Sequence, residues 1–200
     1  RVIDYREYQL GTLPNAETYF ESELTSDQVL EFGFENVCIA TGSHWRADGV
    51  SRQHVRPIPA NDAMPVFTPD DLMSGRMPSG KVVLYDDDHY YMGGVLAELL
   101  VSKGCEVSFV VPSAYVSDWT VNTLEQETIQ RRLIELGVEI FLNRGVTEID
   151  AKSVWTNCTY SGQQRELEAD AVVIVGSRSP EDALYREMKE REHEWKDAGI

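Results

Sequence analysis

The 200-residue chain is short of cysteine, of positive charge and of long apolar runs, and each shortage argues against a class of function. Its three cysteines, Cys38, Cys105 and Cys158, lie far apart with no C-x-x-C spacing, so neither a zinc nor an iron–sulfur motif can be read from them. An odd count with no secretory signal points to reduced thiols in a cytoplasmic protein. Eighteen Lys and Arg stand against 34 Asp and Glu, for a formal net charge of -16. Nucleic acid and anionic membrane both need a basic surface, so neither is an expected partner. The acidity suits a basic protein partner or plain solubility. No apolar run approaches the roughly 18 residues of a membrane span. The longest, around Ala171–Val175, has the length of a buried strand. His44, His54, His89 and His193 share no i, i+4 or H-E-x-x-H pattern, and neither a nucleophile elbow nor a P-loop is present. No metal set and no catalytic set is predicted. The chain opens on Arg1 rather than Met, which reads as a domain boundary.

What is present is alternation. Val2, Tyr5, Gln9 and Leu13 have near-helical spacing, stopped by Pro14-Asn15. A short strand is expected at Thr18–Phe20. Thr25 with Gln28 has the capping-box pattern of a helix start, and that helix leads through Gly33 into a short buried strand, Val37–Ala40. Five of the eight prolines fall between Gly49 and Gly80, which marks a crossover linker. It carries one short helix near Pro69–Ser74, with Pro69 at the first helical position after a Thr68 cap. A βαβ unit follows: strand Val82–Tyr85, helix Gly93–Lys103, strand Val107–Val111. A helix over Thr123–Leu136 comes next, then short strands at Glu139–Leu142, Val146–Ile149, Ser153–Cys158 and Arg165–Glu168. Ala171–Val175 is a further strand, and Glu181–Trp195 a helix opened by Ser179-Pro180. The order predicts an α/β fold, Rossmann-like and of FAD/NAD(P)-binding type, with a central parallel sheet, a β-meander and a partial second lobe.

Two segments carry the chemistry. Between the first strand and helix of the βαβ unit, a dinucleotide site would have G-x-G-x-x-G, whose glycines let backbone amides approach a pyrophosphate. Here the chain reads Asp86-Asp87-Asp88-His89-Tyr90-Tyr91-Met92-Gly93-Gly94. Only the last glycine has an equivalent, Gly93. A carboxylate about 4 Å from a phosphate costs on the order of 1–4 kcal/mol, so three of them without small neighbours predict a nucleotide unit that has lost its ligand. The blander reading of the aspartates is helix capping and dipole complementation; a divalent metal would need further oxygen ligands. The second segment is Ala40-Thr41-Gly42-Ser43-His44-Trp45-Arg46-Ala47-Asp48-Gly49. A strand ending in A-T-G can bring backbone close to a nucleotide, or simply be a tight exit turn. Trp45 and Arg46 offer a ring and a cation that suit an adenine or phosphate, or equally an interdomain contact.

These two segments, with Val82–Leu100, Thr123–Leu136 and Glu181–Trp195, resemble the C-terminal region of the trimethylamine, dimethylamine and histamine dehydrogenases. Those are iron–sulfur flavoproteins with an old-yellow-enzyme-type barrel. The resemblance covers nearly the whole chain, and the acidic, aromatic loop is most similar to the histamine dehydrogenase branch. It implies a parent with FMN and the amine site in an N-terminal barrel absent here, a [4Fe–4S] centre, and a structural ADP. Electrons would pass to an electron-transferring flavoprotein rather than to NAD(P). By this likeness residues 1–49 are a partial FAD/ADP-binding-like lobe, 50–177 an NAD(P)-binding-like domain with a degenerate glycine motif, and 178–200 the return to the first lobe. Ala40, Thr41, Gly42, Trp45 and Arg46 become the cofactor-binding candidates, for ADP, and the fragment itself is expected to be non-catalytic. The alternatives are an NAD(P)H-dependent flavin reductase of the dienoyl-CoA reductase type, and a docking module without nucleotide.

Overall fold

The computed structural model of the chain describes residues 2–200. The chain divides into two units, Arg1–Thr41 with Glu181–Ile200, and Gly42–Pro180.

The described part of the first unit is helical. α1 (Val2–Thr12) buries none of its side chains. α2 (Ser26–Phe32) starts as its capping box predicts: the Thr25 hydroxyl accepts from the Gln28 amide, and the Gln28 side chain accepts from the Thr25 amide at 2.9 Å. Gly33, at φ +63°, ends it. The single helix expected over Glu181–Trp195 is two, α6 (Ala183–Glu190) and α7 (Glu192–Ala198). The break falls at Arg191, and the Trp195 indole N–H donates at 3.0 Å to the Met188 carbonyl, which an unbroken ladder would have given to the Glu192 amide. Arg191 then forks onto Glu194 at 2.8 Å and onto Asp27 of α2 at 2.5 Å. The strands expected at Thr18–Phe20 and Val37–Ala40 do not form. A strand needs a neighbour for its amides and carbonyls, and this unit has no strand among its described residues.

The second unit is built on five parallel strands in the order β2-β9-β3-β4-β5. These are β2 (Val66–Phe67), β3 (Lys81–Asp86), β4 (Glu106–Val110), β5 (Glu139–Phe141) and β9 (Ala171–Val175). Successive side chains of a strand point to opposite faces, and the two faces have different covers. Val82, Leu84, Phe109 and Val173 pack with Leu72 of α3 (Pro69–Met73), Leu96 and Leu100 of α4 (Tyr91–Ser102) and Leu133 of α5 (Gln126–Glu135). Val83, Tyr85, Val172 and Ile174 pack with Ile58, Met64 and an antiparallel meander. Its strands are β6 (Arg144–Ile149), β7 (Ser153–Cys158) and β8 (Gln164–Glu168), which supply Val146, Ile149, Val154 and Leu167. A parallel strand covered on both faces has no polar side to show, which is why Ala171–Val175 is apolar throughout.

Three local features depart from the sequence reading. The proline-rich stretch contains β2, a two-residue strand on the sheet edge beside β9. The helix expected over Thr123–Leu136 forms but starts three residues later, as α5, because Leu124 adopts φ +63° after a 3-10 turn over Asp118–Thr123. Residues before and after the parallel core also pair: β1 (Ser43–Trp45) lies antiparallel to β10 (Arg178–Pro180), so that Ser179-Pro180 ends a strand instead of opening the helix the sequence predicts there.

Candidate functional site at the end of the parallel sheet

Parallel α/β sheets bind ligands beyond the carboxyl ends of their strands, where the strand order turns round. In this sheet the order runs from β3 through β4 to β5 on one side and to β9 on the other, so the turning point lies between β3 and β9, where Asp86 pairs with Val175. Both sequence segments singled out above contribute residues to this unit, and the first ends directly on the turning point.

The three aspartates point three ways. Asp86 is fully buried. Its Oδ1 accepts the amides of Asp88 and His89 at 3.2 and 3.1 Å, and its Oδ2 has no partner. Burial pushes its carboxyl up to about 7, against the hydrogen bond and positive charge of His89. Asp87 faces the other way, towards the His89 ring (3.1 Å to Nε2) and the Gln53 amide (2.7 Å). Burial works to raise it too, but His89, Gln53 and the Ser51 hydroxyl outweigh that and hold it below the usual carboxylate range. Asp87 Oδ1 accepts from His89 Nε2, and the Nδ1 of that ring is buried without a partner. Asp88 lies 3.9 Å from the Arg178 guanidinium. None of the three caps α4: the capping position belongs to Tyr90, which makes no side-chain capping bond. The capping reading of these acids therefore fails, because the turn places them before the cap.

The turn is closed by its own neighbours. The amides of Asp87 and Asp88 donate to the Val175 carbonyl at 2.8 and 3.1 Å, and the His89 carbonyl accepts from the Trp119 amide at 3.0 Å. His89 holds φ +63°, an uncommon left-handed conformation fixed by these bonds. From the proline-rich segment, Arg52 stacks on Trp119 at 4.6 Å and His54 meets the Tyr85 ring edge-on. Burial, with the nearby charges of Asp87 and Asp86, raises the Tyr85 hydroxyl far above its ordinary value.

The second segment divides at its glycine. Ala40 and Thr41 are exposed in the first unit, where the Thr41 hydroxyl donates to the Glu181 carbonyl. Gly42 has φ +82°, and a side chain there would meet nothing within 4 Å. Trp45 and Arg46 are engaged inside the second unit. The Trp45 amide donates to Asp70 at 2.8 Å, and the Arg178 guanidinium covers one face of its ring at 4.5 Å. Arg46 grips Asp48 through Nε (3.0 Å) and Nη2 (2.5 Å), and this pairing holds Asp48 below its usual range against partial burial. Arg178 thus links the segments, stacking on Trp45 and facing Asp88. Sequence reading missed Arg178, Trp119 and the Ser51–His54 run, because none belongs to a pattern and only the fold brings them to the turn. Among the described residues, no group of three or more His, Cys, Asp or Glu is placed to hold a metal ion.

A parallel sheet with helices on one face and a meander on the other, the carboxyl end of its central strands filled by acidic and aromatic side chains, defines a mixed α/β domain. The chain belongs to the OYE-like second alpha/beta domain family, whose model matches residues 67–176. It is 56% identical to the histamine dehydrogenase of Rhizobium sp. 4-9, with a TM-score of 0.95, covering 100% of this chain and 31% of that one. The 6-hydroxypseudooxynicotine amine oxidase of Pseudomonas geniculata N1 is 39% identical, with a TM-score of 0.92 over 97% of this chain and 29% of its own. The dimethylamine dehydrogenase of Hyphomicrobium sp. (strain x) is 32% identical over 98% of this chain and 30% of the relative. The chain thus spans about a third of the length of these relatives. No helix among the described residues is long and apolar enough to cross a membrane.

Proposed function

We propose that this chain is the non-catalytic, nucleotide-binding-type portion of a cytoplasmic flavin-dependent amine dehydrogenase acting on histamine-, dimethylamine- or trimethylamine-like amines. The observation that carries the proposal is the 56% identity to a histamine dehydrogenase along the entire chain. In this reading Gly42–Pro180 is a Rossmann-like counterpart of an NAD(P)-binding domain, and Arg1–Thr41 with Glu181–Ile200 belongs to an FAD-like lobe. FMN and a [4Fe–4S] centre would be held in the remainder of the protein, where the flavin would supply the oxidation of the amine and the cluster single-electron transfer towards an electron-transferring flavoprotein. The residues of this chain neither bind the amine nor touch the flavin. Their part is a structural ADP, bound along the backbone of Ala40, Thr41 and Gly42. That backbone fits the group: Gly42 leaves open space where a side chain would stand. Trp45 and Arg46 fit it less well as direct contacts, because Arg178 and Asp48 already hold them; their role is to fix the segment that follows.

The test is made on the full-length protein. Amine-dependent dye reduction is expected with at least one of histamine, dimethylamine and trimethylamine, and none with NADPH as donor. NADPH-dependent reduction without amine turnover would instead establish the flavin-reductase alternative. Gly42→Val is expected to abolish the ADP released on denaturation while leaving FMN content unchanged. Equal ADP in a folded variant would move the nucleotide away from this segment.

A further inference from the structure

The turn between β3 and α4 keeps one glycine of a dinucleotide fingerprint, and its surroundings say what that glycine now accommodates. A side-chain carbon added at Gly93 would lie 2.5 Å from Asp86 Oδ2 and 2.6 Å from its Cγ. The space that the glycine leaves in the first turn of α4 is therefore occupied, and by a carboxyl group. The same group takes two amides of the turn, those of Asp88 and His89, on Oδ1. Its Oδ2 is buried against α4 with no partner, and so is the Ser117 hydroxyl, which lies 3.4 Å from where a side chain on Gly94 would begin. Two unpartnered polar atoms thus face the N-terminal turn of a 12-residue helix whose capping residue offers no side-chain bond, the place where such folds hold a phosphate.

We propose that the Asp86 carboxyl is a resident anion, which fills the space and takes the amides by which this turn would hold a nucleotide phosphate, and thereby excludes phosphate ligands from the sheet's turning point. The proposal rests on reading Gly42–Pro180 as a nucleotide-type domain. It makes Asp86, rather than all three aspartates together, the residue that decides. Asp87 is turned away onto His89 and Gln53, and Asp88 faces Arg178. Burial also makes this anion responsive to pH, since its carboxyl is raised to about 7. The titratable groups around it are His89, Asp87, Asp88 and the Tyr85 hydroxyl; α4 presents Gly93 and Gly94, β9 presents Val175, and the segment before the 3-10 turn presents Ser117.

The experiment uses inorganic pyrophosphate as the probe on the full-length protein at pH 7.5, titrated by calorimetry. Asp86→Ala is expected to bind it at least tenfold more tightly than the wild type, and the gain is expected to vanish in Asp86→Ala/Gly93→Val, which refills the space. A folded Asp86→Ala protein with wild-type affinity overturns the proposal. Should Asp86→Ala fail to fold, Asp86→Asn keeps the shape and removes the charge. The wild-type thermal midpoint is expected to decline between pH 4 and 8 and that of Asp86→Asn is not, and identical pH profiles overturn the proposal. Amine-dependent dye reduction measured on the same preparations reports on the dehydrogenase reading separately.

Discussion

Two stretches of this chain look alike in sequence and end differently in structure. Val37-Cys38-Ile39-Ala40 leads into Thr41-Gly42, and Val82-Val83-Leu84-Tyr85 leads into the acidic turn; both read as buried strands running into a nucleotide-type turn. The second is the centre of a sheet, with β4 on one side and β9 on the other, and its side chains are almost wholly inaccessible. The first is coil, exposed except at half-buried Ile39. Their composition barely differs, so the difference lies in their neighbours. A strand's amides and carbonyls need partners, and an apolar run of four residues cannot supply its own. The turns that follow differ in the same sense. A side chain at Gly42 would meet nothing within 4 Å, whereas past Asp86 every amide from Asp87 to His89 is already engaged.

The comparison can be broken at its closed end first. Asp86 is protonated in the fold up to about pH 7 and in the unfolded chain only up to about pH 4. The folded state therefore binds the extra proton between those values, and stability falls as pH rises through that window. Asp86→Asn removes the penalty. It is expected to stabilise the protein by about 4 kcal/mol at pH 8 and to change little at pH 4, measured by urea unfolding at both values. An effect of opposite sign and somewhat smaller size is expected from Gly93→Val, a loss of about 3 kcal/mol, from forcing a branched side chain onto Asp86. Asp86→Ala in the same chain should recover part of that loss, and two additive losses would mean that the residues do not share the space.

The two apolar runs are compared directly by truncation. Val83→Ala, in the central strand, is expected to cost about 2 kcal/mol. Val37→Ala, at a side chain 37% exposed, should stay within about 0.5 kcal/mol in this 200-residue chain. If the first unit completes an FAD-like lobe in the full-length protein, the Val37 cost should rise there towards that of Val83, and a cost that stays small in both would remove the strand from that lobe. The smallest effect is local. Thr68→Ala removes the capping box of α3, in which the Thr68 amide donates to Asp71 at 2.8 Å, and should cost about 1 kcal/mol in urea unfolding.

Much of the fold was legible because its signals are local. The Thr25 and Thr68 boxes mark helix starts without reference to anything distant. Ser153–Cys158 and Ala171–Val175 have the expected bounds because turn residues and apolar runs delimit them. The readings that failed depended on something far away. At the break, Arg191 reaches Asp27, 164 residues earlier in the chain, and β10 pairs with Ser43–Trp45, likewise remote in sequence. The acidic turn was singled out from its residues alone, yet the sequence offered three equivalent aspartates and a capping role that none of them fills.

By itself, then, the sequence determined the parallel α/β class, the meander, the helix starts and the loss of the glycine fingerprint, since periodicity and capping are written over a few adjacent residues. Tertiary structure alone decided which apolar runs became strands and which aspartate is buried. It also decided that Arg178, Trp119 and Gln53 close the turn and that the Asp86 carboxyl fills the space Gly93 leaves. Those outcomes depend on hydrogen-bond partners and solvent exclusion, which come from residues remote in the chain and exist only once the sheet has assembled.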